Sequence, residues 1–464
     1  PVVKKCNHKY KGVCMPFIPN TDEQRKAMLN EIGVSSFKEL LKDIPEDLFV
    51  RKALEMDLPL SEMEIKNDII DIADQNINTN EFISFLGGGI YDHFIPAAVN
   101  YIIGRPEFYS AYTPYQAEVS QGTLQFIYEY QTMICELTGM DASNAGMYDG
   151  ATAAAEALLM AFHTNRKKKI LIASTIHPHF KEVIETYFAA IGAEIIYIPR
   201  KNGRIDLDAL KENMDQDTAA VLVQTPNFLG VIEDMEKIDA IAHSQKKALL
   251  IAAVDPISLM LLKPPSAFNV DIVVGEGQAL GNSQNFGGPL FGFFAAKKNL
   301  IRKMPGRIIG STTDKNGNKG YVMTLQTREQ HIRRDKATSN ICTSESLCTL
   351  AATVYMVLMG KKGLKEVANQ STIKAHYLHD KLCQIDGIEP ANTSPFFKEF
   401  AIKTEIEPEL IINQMQEVGF FAGIDLKKYG YENQLLIAVT EKRSKEEMDK
   451  FAEILEKEIK RLYL

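Results

Sequence analysis

The chain has 464 residues, 45% hydrophobic and 24% charged, with a formal net charge of −8, enough for two or three lobes around substantial cores. The mildly acidic balance and the lack of a basic stripe argue against a nucleic acid or a membrane surface as partner. The longest apolar stretch, Ala248 to Val254, is broken by Asp255 and falls far short of a bilayer span.

The first fourteen residues, PVVKKCNHKYKGVC, lack the apolar segment of a signal peptide. Met15 reads as the natural start and residues 1–14 as an added extension. Cys6, His8 and Cys14 match no standard zinc-finger spacing and lack a fourth ligand, so no metal is expected there. All six cysteines (with Cys135, Cys342, Cys348 and Cys383) are scattered, the pattern of free thiols in a reducing, cytoplasmic setting.

Residues 15–80 read as an N-terminal helical arm. Thr21-x-x-Gln24, Ser36-x-x-Glu39 and Ser61-x-x-Glu64 have the form of capping boxes, which satisfy the free amides of a first helical turn. Behind them, Phe37, Leu40, Leu41 and Ile44, and then Ile65, Ile69 and Ile72, make apolar stripes. Each of these helices is expected to bury one face, the arm packing on a core.

Residues 81–330 read as a large α/β domain. The runs ILIAST, EIIYIP, AVLVQTP, ALLIAAVD and DIVVGE alternate with helical stretches such as HFKEVIETYFAAIG. Continuously apolar strands mean a parallel sheet covered on both faces, in a doubly wound order. Sites in such domains lie beyond the carboxyl ends of the strands. Residues 331–464 read as a small α+β domain, with two long helices followed by a strand, a helix, a strand and a closing helix from Ser444.

Several groups bear on chemistry. YDGATAAAEALLMAF places Gly150, Ala151 and Thr152 at a helix start, which is either a phosphate cup or an ordinary helix beginning. His177, in a turn before Pro178, is placed to lie on a cofactor ring. Asp255, at a strand end, either pairs with a pyridinium nitrogen or caps the next turn through DPIS. In order, cup, histidine, aspartate and the glycine-rich loop 276–289 follow the layout of a pyridoxal-phosphate enzyme of the aspartate aminotransferase type. That layout needs a lysine to form an imine with the cofactor. Counting back from GGP (287–289), its place is taken by Gln278, whose amide cannot form an imine. Two polar, aromatic loops stand apart: YSAYTPYQAEVSQG (109–122), and TREQHIRRDKATSNICTSESL (327–347) with its basic cluster Arg328, Arg333 and Arg334. Long ordered polar loops are more often sites or interfaces than spacers.

TPYQAEVSQG, DGATAAAEA, MPGRIIG and LQTREQHIRRDKATSNICT resemble glycine decarboxylase, the P-protein of the glycine cleavage system. The resemblance runs from about Met15 to the C-terminus and is greatest to subunit 1 of the two-subunit form. It implies the pyridoxal-phosphate-dependent transferase fold of the aspartate aminotransferase type (fold type I). It also implies an α2β2 complex in which subunit 2 holds pyridoxal phosphate, glycine is decarboxylated, and the aminomethyl group passes to the lipoyl arm of H-protein. On that resemblance Tyr112, Thr113, Tyr115, Gln116, Asn340 and Thr343 line the partner's site, Thr152, His177 and Asp255 are remnants of a duplicated cofactor cup, and the chain is inactive alone. Two other readings stay open: a self-sufficient pyridoxal-phosphate enzyme recruiting another lysine, and a non-catalytic docking scaffold.

Overall fold

The computed structural model describes residues 20–49, 59–285 and 288–462. Cys6, His8, Cys14 and the expected start at Met15 lie outside the described residues. The chain forms two compact units, one up to Ile77 and one from Asn78 onward.

In the first unit, helices Asp22–Ile32 and Glu62–Ala73 each begin with the expected reciprocal capping box, at Thr21 with Gln24 and at Ser61 with Glu64. The third box does not form. Glu39 instead accepts the amide of Ser35, at 3.4 Å, one residue too early for a Ser36 cap. Phe37–Leu41 is accordingly a tight 3-10 turn rather than an α-helix. No residue of these elements is buried, and Phe37, Ile65, Ile69 and Ile72 are all exposed. Within the first unit itself no buried face is formed, because helices of 11 and 12 residues offer each other too little area to enclose a core.

The second unit is built on a seven-stranded sheet. Its order is Ala142–Ser143, Gly292–Ala296, Ile272–Glu276, Leu249–Val254, Thr218–Thr225, Lys169–Ala173 and Glu194–Ile198. The last five pair in parallel; Gly292–Ala296 runs antiparallel to both neighbours. All five strands read from the sequence are present, and the interior ones are buried along nearly their whole length. Helix Gly150–Asn165 lies against strand Ile272–Glu276. Its run of buried alanines (Ala153, Ala154, Ala155, Ala157) lets helix and sheet approach closely.

The long helical stretch Ser346–Leu382 is interrupted at Gly360, with φ 56° and ψ −179°, a conformation open in practice only to glycine. The two expected helices are thus present, meeting at a kink. The stretch is long and apolar enough to cross a membrane by composition, yet half of its most apolar window is buried inside the protein, as befits a core helix. It leads into a four-stranded antiparallel sheet, ordered Ile388–Pro390, Glu399–Thr404, Gln434–Ala438 and Ile424–Asp425. Helices Pro408–Glu417 and Lys445–Leu462 pack with it over a core that includes Phe400, Phe420 and Phe451. The short strand Ile83–Ser84 joins Phe420–Phe421, so the segment after it runs from the small sheet toward the large one.

Candidate functional site

A cavity of about 360 Å³ opens at the carboxyl ends of the parallel strands, where doubly wound folds place their ligands. Its walls include His177, Asp255 and Glu276 from the large sheet, Tyr91 from the entering segment, and Lys398 and Glu399 from the small sheet.

His177 caps helix Pro178–Phe188, its Nδ1 accepting the amide of His179 at 3.1 Å. Its Nε2 must then carry the proton, and it donates to the carbonyl of Gly88 at 2.6 Å. Burial lowers its pKa to about 4, so the ring is neutral near pH 7. The backbone of Gly89 leans on this ring, so that a Cβ at that position would fall 3.3 Å from it.

The helix start beside it is already occupied. The amide of Gly150 donates to the Glu276 carboxylate at 3.0 Å, and the amide of Thr152 to Asp149 at 2.6 Å. Burial pushes the Glu276 carboxyl up to about 8. Thr152 itself is buried and does not line the cavity, whereas Asp149 and Ala151 do.

Of the two roles that its position left open, Asp255 takes the capping one. Its Oδ1 accepts the amides of Ile257 at 2.8 Å and Ser258 at 3.1 Å, capping the next turn. Its Oδ2 faces inward and meets Lys398 Nζ at 2.7 Å. Lys398 is 1% exposed. It lies 3.0 Å from His93 Nε2 and 3.7 Å from the centre of the Tyr91 ring. On the next residue, Glu399 accepts the amide of Gly88 at 2.6 Å and the Tyr91 hydroxyl at 2.9 Å, and burial pushes its carboxyl up to about 7.

Gln278 is fully enclosed. Its Oε1 accepts the amide of Tyr91 at 2.9 Å, while its Nε2 donates to the carbonyls of Tyr91 at 3.1 Å and Asn282 at 2.8 Å. The glutamine thus clamps the entering segment to the loop. Pyridoxal phosphate does not fit this constellation. No amine stands at 278, the carboxylate for its ring nitrogen is neutralised by Lys398, and the amides for its phosphate are already taken by Glu276 and Asp149. A phosphate at that helix start would have to displace both side chains from the amides.

The partner-facing candidates gather elsewhere. Tyr112, Thr113 and Thr343 line a second cavity of about 340 Å³ together with Arg307 and Ser344. Tyr115 lies beside it, its ring 5.6 Å from the Arg307 guanidinium and its hydroxyl accepting from Nη2 at 3.3 Å. Gln116 and Asn340 are exposed and do not line this cavity.

Lys398, Glu399, Tyr91, Glu276 and Arg307 were not singled out by sequence reasoning. For the first two a signal was present: FFKEF sets a lysine and a glutamate inside an apolar strand run, where unpaired charges are not tolerated.

The sheet order, the small antiparallel domain and the placement of the cavity define the pyridoxal-phosphate-dependent transferase fold. Glutamate decarboxylase of Lactobacillus brevis shares it at TM-score 0.67 and 12% identity, over 89% of this chain and 96% of that one. The chain belongs to the glycine cleavage system P-protein family, whose profile matches residues 15–455. It is similar to the probable glycine dehydrogenase (decarboxylating) subunit 1 of Carboxydothermus hydrogenoformans, 51% identical over 95% of this chain and 99% of that protein. The corresponding protein of Chlorobium limicola is likewise 51% identical, over 95% and 99%. A crystal structure of glycine decarboxylase (P-protein), in inhibitor-bound form, superimposes at TM-score 0.88 with 40% identity, over 96% of this chain and 100% of that one.

Proposed function

We propose that this chain is the lysine-less subunit of a two-subunit glycine decarboxylase. With subunit 2, which would hold pyridoxal phosphate, it takes part in decarboxylating glycine and passing the aminomethyl group to the lipoyl arm of H-protein. The cofactor supplies the electron sink for loss of carbon dioxide. This chain supplies binding and orientation: Tyr112, Thr113, Tyr115 and Thr343 wall the shared pocket, with Gln116 and Asn340 on the exposed loops around it. An α2β2 assembly and a cytoplasmic location belong to the same reading.

The observation that carries it is Gln278, held by three hydrogen bonds at the place of the cofactor lysine. It is enclosed behind Tyr91, beside a cavity whose other cofactor contacts are taken by protein groups. The self-sufficient alternative would need Lys398, the lysine of this cavity, whose amine is tied to Asp255 and is not free to attack an aldehyde. The experiment is co-expression with subunit 2 followed by a glycine–bicarbonate exchange assay. The complex should exchange and this chain alone should not. Exchange by the isolated chain would refute the reading.

A further inference from the structure

The YDGATAAAEA segment and the 327–347 loop meet at Tyr148, Glu156 and Ser339, residues that line neither cavity. From residue 338 to 344 the loop contains no helix and no strand. Among the described residues, its one backbone hydrogen bond to the rest of the protein runs from the Cys342 amide to the Tyr148 hydroxyl, at 3.1 Å. The Ile341 amide turns back within the loop, onto the Ser339 hydroxyl at 3.2 Å. Ile341 itself is 5% exposed and belongs to the main core.

Glu156 is the one charged side chain in a helix that is otherwise apolar and buried from Gly150 to Ala161, save for Thr152. It is 3% exposed. Burial pushes its carboxyl up to about 7, and the Ser339 hydroxyl is the one group that offers it a hydrogen bond. Keeping an acid in such surroundings costs the fold stability that an apolar side chain of similar size would not. Its return is the hold on Ser339.

These anchors alternate with what the loop presents. Ser339 and Ile341 turn inward, whereas Asn340, Cys342 and Thr343 are exposed, Thr343 at the second cavity. Without a ladder of backbone hydrogen bonds, the anchors alone keep these side chains in register, and misplacement by ~1 Å can cost on the order of a hundredfold in rate. We propose that Tyr148 and Glu156 are positioning residues, holding the 338–344 stretch so that Asn340 and Thr343 meet subunit 2 in a single arrangement. This rests on the function proposed above, in which those two residues wall or border the shared pocket.

The test uses the complex with subunit 2 carrying Tyr148→Phe or Glu156→Leu, checked for assembly by size-exclusion chromatography and for melting temperature. Each should lower kcat in the exchange assay ~tenfold or more. Neither should lower the melting temperature, because the exposed Cys342 can give its amide to water and Glu156→Leu removes a buried acid. Glu156→Gln, which keeps an acceptor for Ser339, should restore most of the rate. Combined with Asn340→Ala, either change should cost little more than Asn340→Ala alone, since both act through the same loop. Wild-type kcat in either variant would overturn the proposal for that residue, and losses that add in full to that of Asn340→Ala would overturn it for both. So would a rate that falls only in step with the melting temperature, the mark of a purely structural role. If Glu156→Leu does not fold, Tyr148→Phe decides on the same outcomes. Failure of the underlying reading would look different: the wild-type complex would not form or would not exchange bicarbonate.

Discussion

Lys398 Nζ meets Asp255 Oδ2 at 2.7 Å in the cavity where this fold class binds its cofactor, so a protein cation stands against the carboxylate available to a cofactor ring nitrogen. Both side chains are nearly inaccessible, at 2% and 11% exposure. The pair also joins the small sheet to the large one, since Lys398 directly precedes strand Glu399–Thr404 and Asp255 directly follows strand Leu249–Val254.

Breaking the pair from one side leaves a buried charge unmatched. Lys398→Met and Asp255→Leu should each destabilise the protein by about 3–5 kcal/mol, and the double variant should recover much of that loss. Urea unfolding of the four proteins measures the coupling. Additive losses would mean that the two groups do not depend on each other.

Restoring the lysine alone should not restore a cofactor site. Gln278→Lys removes the clamp on Tyr91 but leaves Glu276 on the Gly150 amide and Lys398 on Asp255. The variant should show at most weak, reversible imine absorbance with pyridoxal phosphate and no glycine decarboxylation without subunit 2. Robust activity from this single change would mean that only the lysine had been lost.

The pocket wall is tested in the assembled complex. Tyr115→Phe removes the hydroxyl that receives Arg307, and Asn340→Ala shortens an exposed polar side chain on the 327–347 loop. Each should lower turnover more than ~tenfold, about 1.4 kcal/mol of transition-state binding, while the complex still assembles on size-exclusion chromatography. Full activity in both would favour the docking scaffold.

Stability should fall with rising pH across neutrality. The Glu276 carboxyl, pushed up to about 8 by burial, binds a proton more tightly folded than unfolded. Its contribution is therefore fully present below the ordinary carboxyl range and is lost as pH rises through about 8. Glu399, pushed up to about 7, acts in the same direction. His177, lowered by burial to about 4, opposes them only as pH falls below its ordinary 6.5. Between these limits Glu276→Gln should flatten the fall of unfolding free energy with pH. An unchanged slope would mean that Glu276 titrates normally.

The large sheet was legible because buried parallel strands are continuously apolar and alternate with helical stretches. That His177 and Asp255 meet at one cavity was legible for the same reason: strand ends and turns fix where side chains emerge. What closes the cavity was not legible. Lys398 reaches Asp255 from beside the small sheet, and Glu276 reaches Gly150 across the helix–strand seam, contacts that local periodicity does not encode. The stripe of Ile65 and Ile69 shows the converse, a helical pattern correctly read that finds no buried face within its own unit. Ser36 shows how one neighbouring hydroxyl residue, Ser35, can divert a capping glutamate.

The location of the cofactor tests the central claim most directly. The complex of this chain with subunit 2 would be loaded with pyridoxal phosphate and reduced with borohydride, which fixes the cofactor to its lysine, and the two chains mapped by peptide mass spectrometry. The reduced pyridoxyl group should be found on subunit 2, with none on this chain. A stoichiometric pyridoxyl-lysine on this chain, at Lys398 or any other lysine, would contradict the account.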